Sequence, residues 1–241
     1  MTHNRFAVAL AFAAIGAAGA SEAPTSLEYD VVAVKRKLVL EVPDGERRLG
    51  PGDRARSGDR LFTASRSSAE LAVPEAAARF RIGAKTRFTL AHDRPGVLLE
   101  IERGSLRAIF GRLEEGGERE RLVTTPSAVL AVRGTDYGIE VEKDGDTSVA
   151  VFEGTVEVRD ARGLGEAVRV GAGQSVRVRS GRAAGAPEAH GLSGGDWDRG
   201  RRVRTETPRG PGSMPGMSGP ATPGSGRPPA SPQGGSRRHG G

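Results

Sequence analysis

The chain contains no cysteine, and this absence excludes disulfides, thiolate metal sites and a thiol nucleophile. Aromatic residues are also scarce, at 4% of 241 residues with one Trp and two Tyr. Only 36% of the residues are hydrophobic, against 36 Gly and 15 Pro. A chain with so few large apolar side chains cannot build two cores, so we expect a single folded domain.

The C-terminal part is the poorest in large apolar residues. Residues 187–241 contain 14 Gly and 9 Pro, and burial of their few large side chains cannot offset the entropy of ordering this segment. We therefore predict a folded domain at 27–182 and a disordered Gly/Pro/Arg-rich tail at 183–241. Within that tail, Trp197 is interpreted either as part of a solvated linker or as a motif that docks on a partner or on the domain.

The net charge of +6 is unevenly distributed along the chain. From residue 187 onward there are eight Arg and four acidic residues, which leaves only +2 for residues 1–186. Arg outnumbers Lys by 32 to 4, a bias typical of GC-rich coding. Because nucleic-acid binders usually cluster unmatched basic residues, the sequence predicts no nucleic-acid partner.

The first residues have the pattern of a cleavable secretory signal peptide at 1–20. His3 and Arg5 precede an apolar run that ends in Ala18-Gly19-Ala20. The run is shorter than the roughly 20 residues that span a bilayer, and its small residues suit signal peptidase. A buried N-terminal helix is the alternative. No later stretch is apolar enough to be transmembrane, so we expect a periplasmic or secreted mature chain without a transmembrane segment.

From residue 27 onward, apolar residues alternate with polar ones in short runs separated by Gly, Asp and Pro. This period of two predicts strands and an all-β domain. Asp144-Gly145 predicts a hairpin turn, Glu153-Gly154 a second turn and Arg103-Gly104-Ser105 a third. Further strands are predicted near 31–34, 38–42, 60–63, 69–73, 79–82, 86–90, 97–102, 106–110, 121–124, 128–132, 168–170 and 175–179.

An internal repeat is visible between residues 48–54 and residues 169–175. Both segments are predicted to be a strand, a Gly-x-Gly turn and a second strand, and each follows a similar pair of strands. Stacked copies of such a unit predict a β-roll or solenoid-like domain. A sandwich and a chance similarity between valine-rich strands are the alternatives.

Two segments, Thr124–Tyr137 and Val149–Val158, resemble the FecR-domain family. Gly58–Thr63, Arg103–Leu106 and Gly173–Val176 are also similar to it, so the likeness covers about residues 55–180. The resemblance implies a periplasmic β-rich domain. In the founding members, this domain senses an outer-membrane receptor and relays to a sigma factor.

The chain departs from those regulators in two places. A predicted signal peptide stands where they resemble one another in a cytoplasmic helical segment and a transmembrane helix, and Pro74–Ala78 replaces their usual Asp-Gly turn. We therefore predict a non-catalytic binding or scaffold module for an envelope protein or glycan. The alternative is an envelope sensor or regulator in a sigma-factor and receptor pathway.

Candidate site residues lie in the two segments that resemble the family. Arg133 is predicted to be part-buried, with Glu153 as a candidate carboxylate partner. Gly134 and Gly154 are interpreted as turn positions, and Thr135 belongs to the same candidate set. Lys143 and Asp146, at the tip of the predicted hairpin, are expected to be exposed and to contribute to binding.

The sequence predicts no catalytic, metal or cofactor site. His92 is the one histidine of the predicted domain and is expected to lie in a solvated loop. The nucleophile-elbow pattern at 191–195 falls in the predicted tail, where it lacks the strand and helix that give it meaning. The pairs Glu114-Glu115 and Asp144/Asp146 lack the oxygen ligands that calcium requires.

Overall fold

The computed structural model describes residues 27–90, 94–111 and 121–203. Within these ranges the chain forms seventeen strands, one short helix and a 3₁₀ turn around one hydrophobic core, so the all-β prediction is confirmed. No helix in these ranges is long and apolar enough to cross a bilayer. The predicted signal peptide, His92 and Glu114-Glu115 lie outside the described residues, as do residues 204–241.

The strands are β1 (Glu28–Lys35), β2 (Leu38–Val42), β3 (Gly45–Leu49), β4 (Arg54–Arg56), β5 (Arg60–Thr63), β6 (Ser68–Val73), β7 (Ala78–Ile82), β8 (Arg87–Leu90), β9 (Val97–Phe110), β10 (Arg121–Thr124), β11 (Ala128–Val132), β12 (Asp136–Val141), β13 (Thr147–Glu153), β14 (Thr155–Asp160), β15 (Val168–Gly171), β16 (Gln174–Val178) and β17 (Glu188–Ala189). The 3₁₀ turn is Pro74–Ala76, and the helix α1 is Gly194–Asp198.

The strands form two sheets that share β9. Sheet A has the order β4-β1-β6-β7-β9-β12-β13-β16-β17. Sheet B has the order β3-β2-β5-β8-β9-β10-β11-β14-β15. The pairing of β9 with β10 is parallel. The chain passes repeatedly from one sheet to the other, so the fold is a sandwich with a rolled connectivity.

Alternation along each strand determines which side chains enter the core. In β6, Ala69, Leu71 and Val73 are buried, while the residues between them are only partly buried. Successive side chains of a strand point to opposite faces, so one face of each strand can pack inward. Tyr29 and Leu61, from sheets A and B respectively, belong to the same buried cluster. Each such large side chain contributes about 1.5–3 kcal/mol when fully buried.

The predicted turn at Arg103–Ser105 is wrong, because β9 runs through these residues without a break. This strand continues through Gly104 and passes from sheet B to sheet A. Gly104 has φ +101°, and a Cβ there would lie 2.5 Å from the Cα of Thr86. A glycine between two alternating runs looks the same in the sequence whether the chain turns back or bends onward.

Buried hydroxyl groups hold three neighbouring corners of the sandwich together. The Thr63 hydroxyl donates to the carbonyl of Gly83 at 2.5 Å and accepts the amide of Thr86 at 3.1 Å. The Thr86 hydroxyl contacts both the carbonyl and the amide of Ser105, at 3.1 and 3.0 Å. These bonds satisfy backbone groups that the corners would otherwise leave unpaired.

The predicted internal repeat is present in the structure. Strands β1–β4 and β13–β16 both follow the order sheet A, sheet B, sheet B, sheet A. In each copy a side chain accepts the amide of the first glycine of the turn: Gly50 donates to Asp53 at 2.7 Å, and Gly171 donates to Gln174 at 2.9 Å. The second glycine of each turn donates to a strand carbonyl, at 2.9 and 2.8 Å.

The predicted domain end at residue 182 is wrong, because residues 183–203 pack on sheet A. β17 pairs with β16, and Trp197 of α1 is only 3% exposed. The Trp197 indole donates to the carbonyl of Leu106 at 3.1 Å and covers Gly138, whose added Cβ would lie 2.3 Å from the ring. The Arg202 guanidinium lies 4.3 Å from the ring centroid. Trp197 therefore docks on its own domain.

The serine of the nucleophile-elbow pattern is a helix cap. Ser193 is the N-cap of α1, and its hydroxyl accepts the amide of Asp196 at 3.2 Å. The Asp196 carboxylate accepts the amide of Ser193 at 3.0 Å, which completes a capping box. Hydrogen bonds to the Asp196 carboxylate from the amide and hydroxyl of Ser193, and from Arg201 and Arg199, hold the pKa of Asp196 well below its usual range.

We predict that Gly138→Ala displaces Trp197 and lowers stability by about 1–3 kcal/mol, because the new methyl group would overlap the indole. The chain has one Trp, so tryptophan fluorescence reports on this contact alone. The emission maximum should shift to longer wavelength. Gly191→Ala is the control, since a Cβ there meets nothing within 4 Å. An unchanged emission maximum in Gly138→Ala would contradict the docking.

Candidate interaction site

The hydroxyl groups at the start of the segment Thr124–Tyr137 form a buried cluster. Thr125 and Ser127 each hydrogen-bond to the Thr147 hydroxyl, at 2.8 and 2.7 Å. Ser127 also donates to the carbonyl of Val178 at 3.2 Å. All three hydroxyl-bearing residues are buried. These side chains therefore join the β10–β11 turn to β13 and β16 and are not available to a partner.

The glycines of the candidate set lie against each other. Gly134 and Gly154 have φ +60° and +78°, the left-handed region that favours glycine. A Cβ on Gly154 would lie 2.7 Å from the carbonyl oxygen of Gly134 and 2.8 Å from the Thr135 side chain. Thr135 is buried. The conformations of these three residues are explained by the close approach of the β11–β12 corner to the β13–β14 corner.

The prediction that Arg133 is part-buried and pairs with Glu153 is wrong. Its side chain is exposed, as is that of Glu153, and the two form no ion pair. Arg133 follows the last residue of β11, where the chain leaves sheet B, so its side chain points into solvent and away from the core. An apolar run that ends in Arg-Gly does not tell on which side of the corner the arginine projects.

Arg107 is the arginine that meets the expectation of a part-buried ion pair. Its Nε and Nη2 donate to both carboxylate oxygens of Asp136, at 2.8 and 2.5 Å, and Nη1 donates to Asp198 at 2.7 Å. The Arg107 side chain is 14% exposed. Hydrogen bonds to Asp136 raise the pKa of Arg107, while burial opposes this effect. No sequence signal links residues on strands this far apart in the chain.

Two further polar residues beside this segment are buried. The Tyr137 hydroxyl has no hydrogen-bond partner in the described structure, and burial raises its pKa. Arg121 donates to the carbonyls of Ala76 and Gly111, at 3.1 and 2.9 Å, and lies 5.1 Å from the Phe110 ring centroid. Burial lowers the pKa of Arg121. Both side chains face inward, so neither forms an open binding site.

The hairpin β12–β13 does not offer a free strand edge. β12 also pairs with β9, and β13 also pairs with β16, so backbone groups on both sides of the hairpin are already bonded. A partner segment therefore cannot extend sheet A at this hairpin. The tip, residues 142–146, is the part that protrudes.

The two tip residues of the candidate set have different environments. Lys143 is exposed, as the sequence predicts. Asp146 is largely covered, with 13% of its side chain exposed. Its carboxylate accepts Nη2 of Arg177 at 3.2 Å and the amide of Ser180 at 2.9 Å. Asp146 therefore stabilises the fold, and its substitution does not test binding alone.

A groove of about 810 Å³ lies beside the hairpin tip. It is lined by Val141 at the end of β12, Lys143 at the tip, Phe62 of β5, and the basic residues Lys85 and Arg103. The Phe62 ring carries a guanidinium 5.4 Å from its centroid, a cation–π distance. In the ranges that the structure describes, no group of three or more His, Cys, Asp or Glu could hold a metal ion. The groove is the candidate interaction site.

The domain is similar to a known protein family. Residues 59–157 match the family model described as FecR protein. Over these residues the chain resembles the FecR family. The match runs from the residue before β5 to the middle of β14 and includes the buried hydroxyl cluster, the two touching corners and the hairpin tip. The resemblance inferred from the sequence is therefore confirmed.

Two crystal structures of a candidate anti-sigma factor from Parabacteroides distasonis, at 1.65 and 2.50 Å, are partly similar to this chain. Each has 16% sequence identity and a TM-score of 0.45. Each alignment covers 54% of this chain and 59% of that one. No curated protein matches this chain.

We predict that Arg107→Ala lowers the free energy of unfolding by about 1–3 kcal/mol, because it leaves the Asp136 carboxylate part-buried and unpaired. Arg133→Ala is the matched control and should change stability by less than about 0.5 kcal/mol, since Arg133 is exposed. Urea unfolding of the two variants measures the difference. Equal losses in both would contradict the assignment of the buried ion pair to Arg107.

Proposed function

We propose that this FecR-domain protein is a non-catalytic regulator of the cell envelope that works by binding a protein partner. The family match over residues 59–157 carries the proposal. It favours the regulatory alternative over the scaffold interpretation, because the family's founding members relay a signal from a receptor to a sigma factor. A binding domain transmits such a signal by contact, so it needs an exposed surface and no reaction centre.

The surroundings of the hydroxyl and imidazole groups support action by contact. Ser127 bonds to another hydroxyl and to a carbonyl, with no base beside it. His190 is the one histidine within the described ranges; its Nδ1 accepts the amide of Leu192 at 3.1 Å, and its Nε2 faces the carbonyl of Val151 at 3.1 Å. Both ring nitrogens are therefore engaged by backbone groups and are not free for acid–base work.

The first test is export, which the proposed location in the envelope requires. We predict that the mature protein begins at Ser21, because a charged start, an apolar run and an Ala-x-Ala ending precede it. Mass spectrometry of the protein from the envelope fraction of its natural host gives the N-terminus. Recovery of the intact chain from the cytoplasm alone would overturn the envelope proposal.

The second test separates regulation from scaffolding. We predict that deletion of the gene changes the transcription of a restricted set of genes, and that the wild-type chain restores it. Gly154→Val is the negative control, because a side chain there would overlap the carbonyl of Gly134 and prevent folding. RNA sequencing measures the response. An unchanged transcriptome together with an altered envelope composition would favour the scaffold interpretation.

A further inference from the structure

Basic residues occupy strained positions along one side of the sandwich. Arg36, Arg66 and Lys85 have φ +70°, +56° and +56°. Each lies in a corner between sheets A and B, and the left-handed region is unfavourable for a residue other than glycine. Gly104 occupies the next corner with φ +101°. Glycine would fit all of these positions without strain.

The internal repeat supplies a comparison for two of these corners. The connection β1–β2, with Arg36, corresponds to β13–β14, where Gly154 has φ +78°. The connection β5–β6, with Arg66, corresponds in its strand pairings to β11–β12, where Gly134 has φ +60°. The same corner is thus made with glycine in one half of the domain and with arginine in the other. Folding alone does not explain the arginines.

These corners lie next to one another. Lys35 pairs with Ser68, Ala69 with Ile82, Ile82 with Leu106, and Gly104 with Val141 in the registers of sheet A. At a strand spacing of about 4.8 Å, the row from the first corner to the hairpin tip spans about 19 Å. We name this row the basic rim and define it as Arg36, Arg66, Lys85, Arg103 and Lys143.

The cations of the basic rim are not neutralised within the described structure. All five are exposed, and none forms an ion pair there. Other basic side chains nearby are paired, as Lys37 is with Glu46 at 3.4 Å and Arg87 is with Glu41. Two acidic residues at the end of the rim, Asp144 and Glu142, are also exposed, and Glu142 bonds to Arg177 at 2.9 Å. The rim therefore presents an excess of free positive charge.

The few lysines of the chain are found in the same place. There are only four Lys against 32 Arg, and they are Lys35, Lys37, Lys85 and Lys143. Lys35 and Lys37 flank Arg36, and the other two belong to the rim. A coding bias that replaces lysine with arginine acts on the whole sequence and does not select one side of a folded domain.

We propose that the basic rim binds an extended acidic peptide segment of the protein partner, with its carboxylates on the rim cations and an apolar side chain in the groove beside Phe62 and Val141. The inference rests on the proposed function, because it takes the partner to be a protein. The groove distinguishes a peptide from an anionic polysaccharide or a lipid surface, since only the peptide supplies apolar side chains at regular intervals. A rim of this length accommodates roughly six extended residues.

The binding test uses the full mature chain and a fluorescein-labelled decapeptide in which glutamate alternates with leucine and serine. Fluorescence anisotropy should show binding that weakens with salt, because the contact is between exposed charges. A peptide with lysine in place of glutamate should not bind. Absence of binding by the glutamate peptide at low salt would overturn the proposal.

Two sets of variants locate the site. The triple change Arg66→Glu, Lys85→Glu and Arg103→Glu should weaken peptide binding by at least about tenfold. The control triple Arg56→Glu, Arg133→Glu and Arg169→Glu makes the same change of charge at exposed residues outside the groove and should have a much smaller effect. Equal losses in the two triples would show non-specific attraction and overturn the site.

A second pair of variants tests binding by residues of the rim without disturbing the fold. Arg66→Gly and Lys85→Gly suit the left-handed backbone, so they should preserve the melting temperature while weakening peptide binding.

Competition with heparin and with phosphatidylglycerol vesicles tests the other ligand classes. If either displaces the peptide and binds the wild-type chain more tightly, the peptide assignment is wrong. Because these measurements involve no gene expression, they can fail while the regulatory function stands, and the reverse also holds.

Discussion

A chain that passes between two packed sheets must change direction within a few residues, and in this domain every described crossing uses a residue with positive φ. These residues are Arg36, Gly52, Gly58, Arg66, Lys85, Gly104, Gly134, Gly154 and Gly173. The crossings allow short strands to contribute to both sheets, so alternate apolar side chains close a single core. The positions of the hydroxyl clusters and of the rim cations follow from this connectivity.

The segments that carry the family resemblance serve the fold more than they serve binding. The motif hydroxyls are buried, and Gly134 and Gly154 touch each other. A family can share such residues because a corner with little space accepts few alternatives. The proposed recognition therefore uses exposed residues around this framework, in the groove between the hairpin tip with Lys143 and the first half of the domain.

The C-terminal segment shows how a few side chains can order a stretch of weak composition. Trp197 fills the space above Gly138, and Asp198 joins the ion pair of Arg107 and Asp136. Arg202 covers the indole. These contacts bury the largest side chain of the segment. Asp198 also pairs with Arg107 and Arg81, two arginines of sheet A. A count of apolar residues misses this effect, because the surface that receives them is built elsewhere in the chain.

The sequence by itself determined most of the strands, the hairpin turn at Asp144-Gly145, the internal repeat and the FecR resemblance. Each depends on neighbours along the chain, where a period of two and turn residues with positive φ leave a local pattern. The tertiary structure alone decided that Arg133 is exposed while Arg107 is part-buried, that residues 183–203 belong to the domain, and that the four lysines share one side. These outcomes depend on which strands become neighbours. Packing of the whole core decides this, and no short stretch of the sequence encodes it.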